Sequence, residues 1–262
     1  MLSVLASTFD ILREWQKRTE NAYVPLPDSA LAEDAEGWPF FPVSTVAWSG
    51  LIAASDHLSA IRSHIEARDL FPLAHLTLCR SALVGAAQAT WVLAPNDRQE
   101  RVRRGRTVAS YLYKYHLNFL RKLQGSSDEP HIGTDAVAAL VEQRRGELRA
   151  IREADDDRSE LNTTEMIESA AWSAFAEQKK VDETLLAWQG GSGAAHGQPW
   201  PLFGTPGTVQ KSVPADGLAE FQAGGSLVRI GNYYMAAFYL TEHAWTLFER
   251  RCAIAMPGPP TV

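Results

Sequence analysis

The sequence predicts an all-α protein: a single helical bundle of about seven or eight helices with one ordered Gly/Pro-rich loop or small hairpin. Three observations carry this. Apolar residues recur at steps of three and four rather than in alternation. No repeat of fixed period and no low-complexity tract interrupts them. The chain has 262 residues, 45% of them hydrophobic, with a net charge of −6, enough to bury a sizeable core in one domain over residues 1–262.

Leu2–Asn21 reads as a first helix, capped by Ser3, with Leu5, Phe9, Leu12 and Trp15 on one face. Residues 22–43 follow as a connecting arm, because Pro25, Pro27, Pro39 and Pro42 deny it a long helix. Ser44 or Thr45 starts a second helix running to Ala67, which buries Val46, Leu51, Leu58, Ile61 and Ile65. Pro72 suits the first turn of a third, Pro72–Leu93, whose Ala82, Gly85, Ala86, Ala87 and Ala89 allow close approach. The second and third helices should form a tight hairpin.

Asn96-Asp97 caps a fourth helix to about Leu123, and Gly125–Pro130 is a turn-rich break before a fifth, Thr134–Arg152, ended by Asp155-Asp156-Asp157. Asn162 with Glu165 starts Thr163–Gln178, and Asp182 caps a short Glu183–Gln189. Gly190–Asp216 defeats a helical reading and is expected as a loop or hairpin insertion, with Trp200-Pro201-Leu202-Phe203 and Thr208–Val213 as its ordered part. A long last helix, Ser226–Cys252, carries Leu227, Ile230, Tyr234, Phe238, Thr241, Trp245 and Phe248, and Pro257–Val262 is a tail.

Composition bounds function. Disordered, collagen-like and disulfide-built classes are excluded, since Cys79 and Cys252 cannot make a framework. The most apolar window, Leu73–Ala94, is interrupted by His75, Arg80 and Gln88, so no membrane span is expected. The N-terminal residues lack the apolar centre of a signal peptide, and the expected compartment is a reducing cytoplasm.

Charge is uneven. Asp97–Lys122 holds eight Lys/Arg against two acids, a charge of +6 beside −12 for the rest of the chain. A basic helix in an acidic protein points either to an anionic partner such as RNA or to compensation by the protein's own acids. The arginines of its first turns point all round the helix, and cations there oppose the macrodipole, so Asp155–Asp157 and Glu160 are the expected counter-charges.

Neither Cys-x-x-Cys nor His-Glu-x-x-His occurs, and consecutive aspartates cannot converge on one ion from a helix, so no metal or cofactor is expected. Gly190–Gly197 lacks the lysine and the preceding strand of a phosphate loop. Ser192 and His196, four apart, share a face if that segment is helical, with Trp188 one turn earlier. Arg80 sits mid-helix among Leu76, Ala82, Leu83 and Gly85 with no acid at i−4 or i+4, so its partner must come from another helix, the backbone or a ligand. The candidate catalytic residues are therefore His196, Arg80 and Ser192, lining one partly buried pocket where Arg80 holds an anion and His196 handles a proton. The competing reading is an arginine that bridges helices through carbonyl oxygens.

Leu78-Cys79-Arg80-Ser81-Ala82-Leu83, then Trp91-Val92-Leu93-Ala94-Pro95 leading into Arg98 and Arg101, and Ser192-Gly193-Ala194-Ala195-His196-Gly197 together resemble a group of actinobacterial helical proteins distantly similar to HEPN-like domains. The resemblance implies a helical bundle, often dimeric, and an RNA-directed or defence role. Many such domains are RNases that pair an Arg with a His a few residues later. Here Gln189, Gly190 and Gly191 stand where that Arg would precede His196, which implies a degenerate site. Two other function classes remain: a small-molecule binder or enzyme with a pocket near Arg80 and His196, and a helical protein-interaction module. A two-fold homodimer is expected through the last helix or the second and third, because Tyr233, Phe238, Tyr239, Trp245 and Leu247 do not share one stripe.

Overall fold

The computed structural model describes residues 1–125, 133–216 and 218–253. The described chain is essentially all helix. In order it forms α1 (Leu2–Ala6), α2 (Phe9–Thr19), α3 (Ala30–Asp34) with a 3-10 turn at Ala35–Gly37, α4 (Val43–Ala67), α5 (Ala74–Leu93), α6 (Arg98–Gln124), α7 (Thr134–Ala154), α8 (Thr163–Phe175) and α9 (Gln178–Ala195). A 3-10 turn at Trp200–Leu202, strands β1 (Thr208–Gln210) and β2 (Phe221–Ala223), and α10 (Leu227–Cys252) complete it. The expected break at Gly125–Pro130, after Gly125, and the tail Pro257–Val262 lie outside the described residues.

Most elements fall where the spacing puts them, and a few depart from it. The first helix is two, because the Ser7 and Thr8 hydroxyls donate to the carbonyls of Val4 and Leu5, at 2.8 and 2.7 Å, and compete with helix continuation. Ser3 lies inside α1 rather than capping it. The arm is not wholly irregular, since Ser29 accepts from the Ala32 amide and starts α3 between its prolines. Helix α9 takes in both Asp182, expected as a cap, and Gly190–Ala195, expected as loop. The hairpin does form, antiparallel with Val209 opposite Gln222, but its second strand lies beyond the predicted end at Asp216.

The chain divides into two compact units. The first comprises Met1–Val24, Trp48–Trp91 and Thr163–Phe248. Its interior holds Leu12, Trp15, Leu58, Ile61, Leu83, Ile167, Val181 and Tyr234, all buried. Trp15 stacks on Phe238 and Trp245 with ring centroids 5.3 and 6.3 Å apart. Helices α4 and α5 form the tight hairpin: a Cβ on Gly85 would stand 2.6 Å from the Gly50 carbonyl oxygen, so the backbones touch where only glycine fits. Among the described residues α5 alone is long and apolar enough to cross a membrane by length and composition, a test that a buried core helix also passes. Its alanines, valines and leucines outweigh His75, Arg80 and Gln88, and 61% of that window is buried inside the fold.

Unit 1 also covers most of the apolar surface that implied a dimer. Phe238, Trp245 and Leu247 are buried within it, Tyr233 is half-buried, and of the five only Tyr239 is exposed.

The second unit comprises Pro25–Ala47, Val92–Asn162 and the chain from Glu249. Helices α6 and α7 pack through Ala109, Tyr113, Leu117, Leu120, Ala138, Val141 and Leu148, with Trp38 of the arm in the same cluster. The Trp38 indole donates to the Tyr113 hydroxyl at 3.1 Å. Asp97 caps α6 by accepting from the Glu100 amide at 3.0 Å.

Candidate functional site

Two of the three candidate residues meet. Arg80 on α5 donates from Nε to the Ser192 hydroxyl on α9 at 2.8 Å. The contact depends on Gly191: a Cβ there would stand 2.5 Å from the Arg80 Cβ and 2.8 Å from the Leu76 carbonyl oxygen. A Cβ on Gly190 would collide with the Tyr233 ring, and one on Gly193 with Trp200. At these helical positions only glycine fits, because neighbouring groups occupy the space a side chain would need.

Arg80 is half-buried, and no carboxylate among the described residues lies within ion-pair distance of it. Its terminal nitrogens have no protein hydrogen-bond partner among those residues. A guanidinium carries five N–H donors, so one neutral hydroxyl leaves it largely unanswered. Ser192 is the interhelical partner that the absence of a local acid demands.

His196 is the C-cap residue of α9, and its amide donates to the Ser192 carbonyl at 3.1 Å, which places it one turn beyond the serine. The imidazole is exposed and makes no hydrogen bond among the described residues. It therefore stands at the rim of the Arg80–Ser192 contact and not in a partly buried pocket. Trp188, one turn before Ser192, is half-buried and its indole N–H has no partner among the described residues.

The arginines that open α6 are answered by the protein's own acids. Arg98 pairs with Glu36 at 2.8 Å, Arg103 and Arg104 with Glu100 at 2.7 and 2.6 Å, and Arg106 with Asp155 at 2.6 Å. Arg101, 3% exposed, grips the fully buried Asp34 through two bonds of 2.7 and 2.9 Å and donates to the carbonyls of Pro95 and Asn96. Burial raises the Asp34 carboxyl above its ordinary value despite Arg101. Of the acids expected to answer the α6 arginines, Asp155 pairs with Arg106, whereas Asp157 pairs with Arg152 of α7 at 2.8 Å and Asp156 with Arg158 at 3.1 Å. The polar cleft of about 440 Å³ lined by Arg98, Arg103, Arg106, Asp155 and Asp157 is thus internally neutralised.

Three polar features escaped the sequence reading. His75, fully buried, faces His64 with Nε2 3.2 Å from its Nδ1, and its own Nδ1 lies 3.1 Å from the Phe71 amide nitrogen and carbonyl oxygen. Arg229, buried, donates to Thr205, Thr208 and the Gly224 carbonyl, and so clamps the hairpin through neutral oxygens alone. Tyr111, Tyr115 and Phe119 stand exposed along α6; their four-residue spacing was legible, but which face would be left outside was not.

The class defined by this fold and site is a helical-bundle protein with a half-buried arginine held by a serine of a facing helix. No family model, curated protein or solved structure matches the chain.

Proposed function

We propose that the protein is RNA-directed and takes a phosphate group at Arg80. The observation that carries this is the Arg80–Ser192 contact: Ser192 orients the guanidinium through Nε, and both terminal nitrogens remain for the two oxygens that a planar fork matches. His196, exposed one helical turn from Ser192, offers its ring nitrogens to the same ligand. RNA is the phosphate source implied by the motif resemblance, and a HEPN-like, catalytically degenerate binder is the form it takes. A free nucleoside phosphate presents the same chemistry. The two-fold homodimer implied by the same resemblance belongs to this proposal, and a monomer mass by light scattering at micromolar concentration overturns it.

Fluorescence anisotropy with labelled RNA, competed by a nucleoside monophosphate, tests the reading. Binding that weakens with salt and falls about tenfold or more in Arg80→Met, at unchanged melting temperature, is the expected result. Equal binding by Arg80→Met and the unaltered protein overturns it. Competition by the monophosphate at its own binding concentration assigns the site to the small ligand.

A further inference from the structure

The two halves of α6 treat charge differently. Up to Arg106 every arginine is paired within the protein, whereas from Lys114 on only Arg121 is, with Glu142 at 2.7 Å. Lys114 and Lys122 enter no ion pair among the described residues, and no acidic residue occurs on α6 after Glu100. Among the described residues no carboxylate pairs with either lysine.

The same half exposes aromatic rings. Tyr111, Tyr115 and Phe119 are 42%, 52% and 62% exposed, while Tyr113, Leu117 and Leu120 on the opposite side fill the core of unit 2. At about 100° per residue, Tyr111, Tyr115, Asn118 and Lys122 fall within one narrow sector, with Lys114 and Phe119 on its flanks. The Tyr111 and Tyr115 ring centroids are 4.4 Å apart, and the Lys114 ammonium lies 5.8 Å from the Tyr115 ring. An exposed row of aromatics is the informative exception on a protein surface, because the core has no use for it.

We propose that this face of α6 docks single-stranded RNA, with bases stacking on the Tyr111–Tyr115 platform and on Phe119 while Lys114 and Lys122 meet the phosphates. The four-residue step from Tyr115 to Phe119 sets the Tyr111–Tyr115 platform and Phe119 about 6 Å apart along the helix axis, whereas bases in a duplex strand are about 3.4 Å apart. Bases seated on successive platforms are therefore unstacked from each other, which a duplex forbids. Aromatic platforms beside unpaired cations are the general means of gripping a strand without reading its sequence. A lipid surface would meet the same lysines, but three rings, two of them with hydroxyls, beside Asn118 make a poorer apolar face than a membrane helix presents.

The proposal rests on the RNA-directed reading, and one titration separates them. The full chain is titrated into labelled oligouridine, a blunt RNA duplex and vesicles containing anionic lipid, as the unaltered protein and as Tyr115→Ala, Phe119→Ala, Lys114→Gln, Lys122→Gln and Arg80→Met. Single-strand binding should weaken about tenfold in each aromatic variant, and each lysine variant should lower the salt slope by about one. These side chains are exposed, so melting temperatures should not move. Single-strand binding lost in Arg80→Met but kept in the α6 variants overturns this proposal and leaves the Arg80 reading standing. Loss in the α6 variants alone does the reverse. Equal affinity for duplex, a preference for vesicles, or no single-strand binding by the unaltered protein also overturns it.

Discussion

Gly191 lies against Arg80 so closely that a Cβ on the glycine would stand 2.5 Å from the arginine's own Cβ. Helix α9 approaches α5 at a distance only a bare backbone allows, and the Arg80–Ser192 hydrogen bond lies next to that contact. Gly191→Ala should therefore destabilise the protein by about 1–3 kcal/mol through overpacking. Gly146 on α7 has nothing within 4 Å of the corresponding position, so Gly146→Ala should stabilise by about 0.5–1 kcal/mol through helix propensity. Urea unfolding of the two variants checks both signs, and a stabilised Gly191→Ala would refute the close packing.

Asp34 and Arg101 are a buried, two-pronged ion pair within unit 2. Removing one partner strands the other's charge, so Asp34→Ala and Arg101→Ala should each cost about 3–5 kcal/mol. The double variant should cost clearly less than the two together, because it strands no charge. Additive losses in denaturant unfolding would show that the pair is not coupled.

Burial, aided by the facing His64, lowers the His75 pKa below its ordinary 6.5. In the window from 6.5 down to the lowered value the unfolded chain binds more protons than the folded one. Stability is therefore fully present above 6.5 and falls as pH drops through that window. The melting temperature should decline from pH 7.5 towards pH 5.5, and His75→Gln should flatten that decline (both about the 6.5 midpoint). A pH profile identical to that of the unaltered protein would remove His75 as its source.

His196 is exposed at the end of α9 and supports nothing by a side-chain hydrogen bond. His196→Ala should leave the melting temperature within about 1–2 °C, since surface changes of this kind are worth about 0.5 kcal/mol or less. A loss of ligand binding or activity in this variant is then chemical in origin. A large thermal shift in differential scanning calorimetry would instead mark the histidine as structural.

Helical class, the buried sets of α4 and α10, the Asp97 cap and the need of Arg80 for a distant partner were all legible in the sequence, because each depends on spacing within one helix or on the cost of a lone buried charge. Local chemistry also announced that acids would answer the arginines of α6, though Asp34, hidden in a proline-rich arm, could not be picked as the buried one.

What the tertiary structure decided is which surfaces meet. Glycine is ambiguous in a linear reading, since it breaks a helix in isolation and permits close contact in a packed one. Gly190, Gly191 and Gly193 lie within α9, and the close approach of Tyr233, Arg80 and Trp200 gives each glycine its packing reason. The same holds for exposure: Phe238 and Trp245 are covered by Trp15 within unit 1, while Tyr111, Tyr115 and Phe119 are left outside. Periodicity states that a helix has faces, but only the packing of the other elements determines which face is covered. The sequence thus determined an all-α chain with an arginine in search of a partner, and the tertiary structure supplied Ser192, placed His196 at the rim, and left an aromatic, basic face of α6 uncovered.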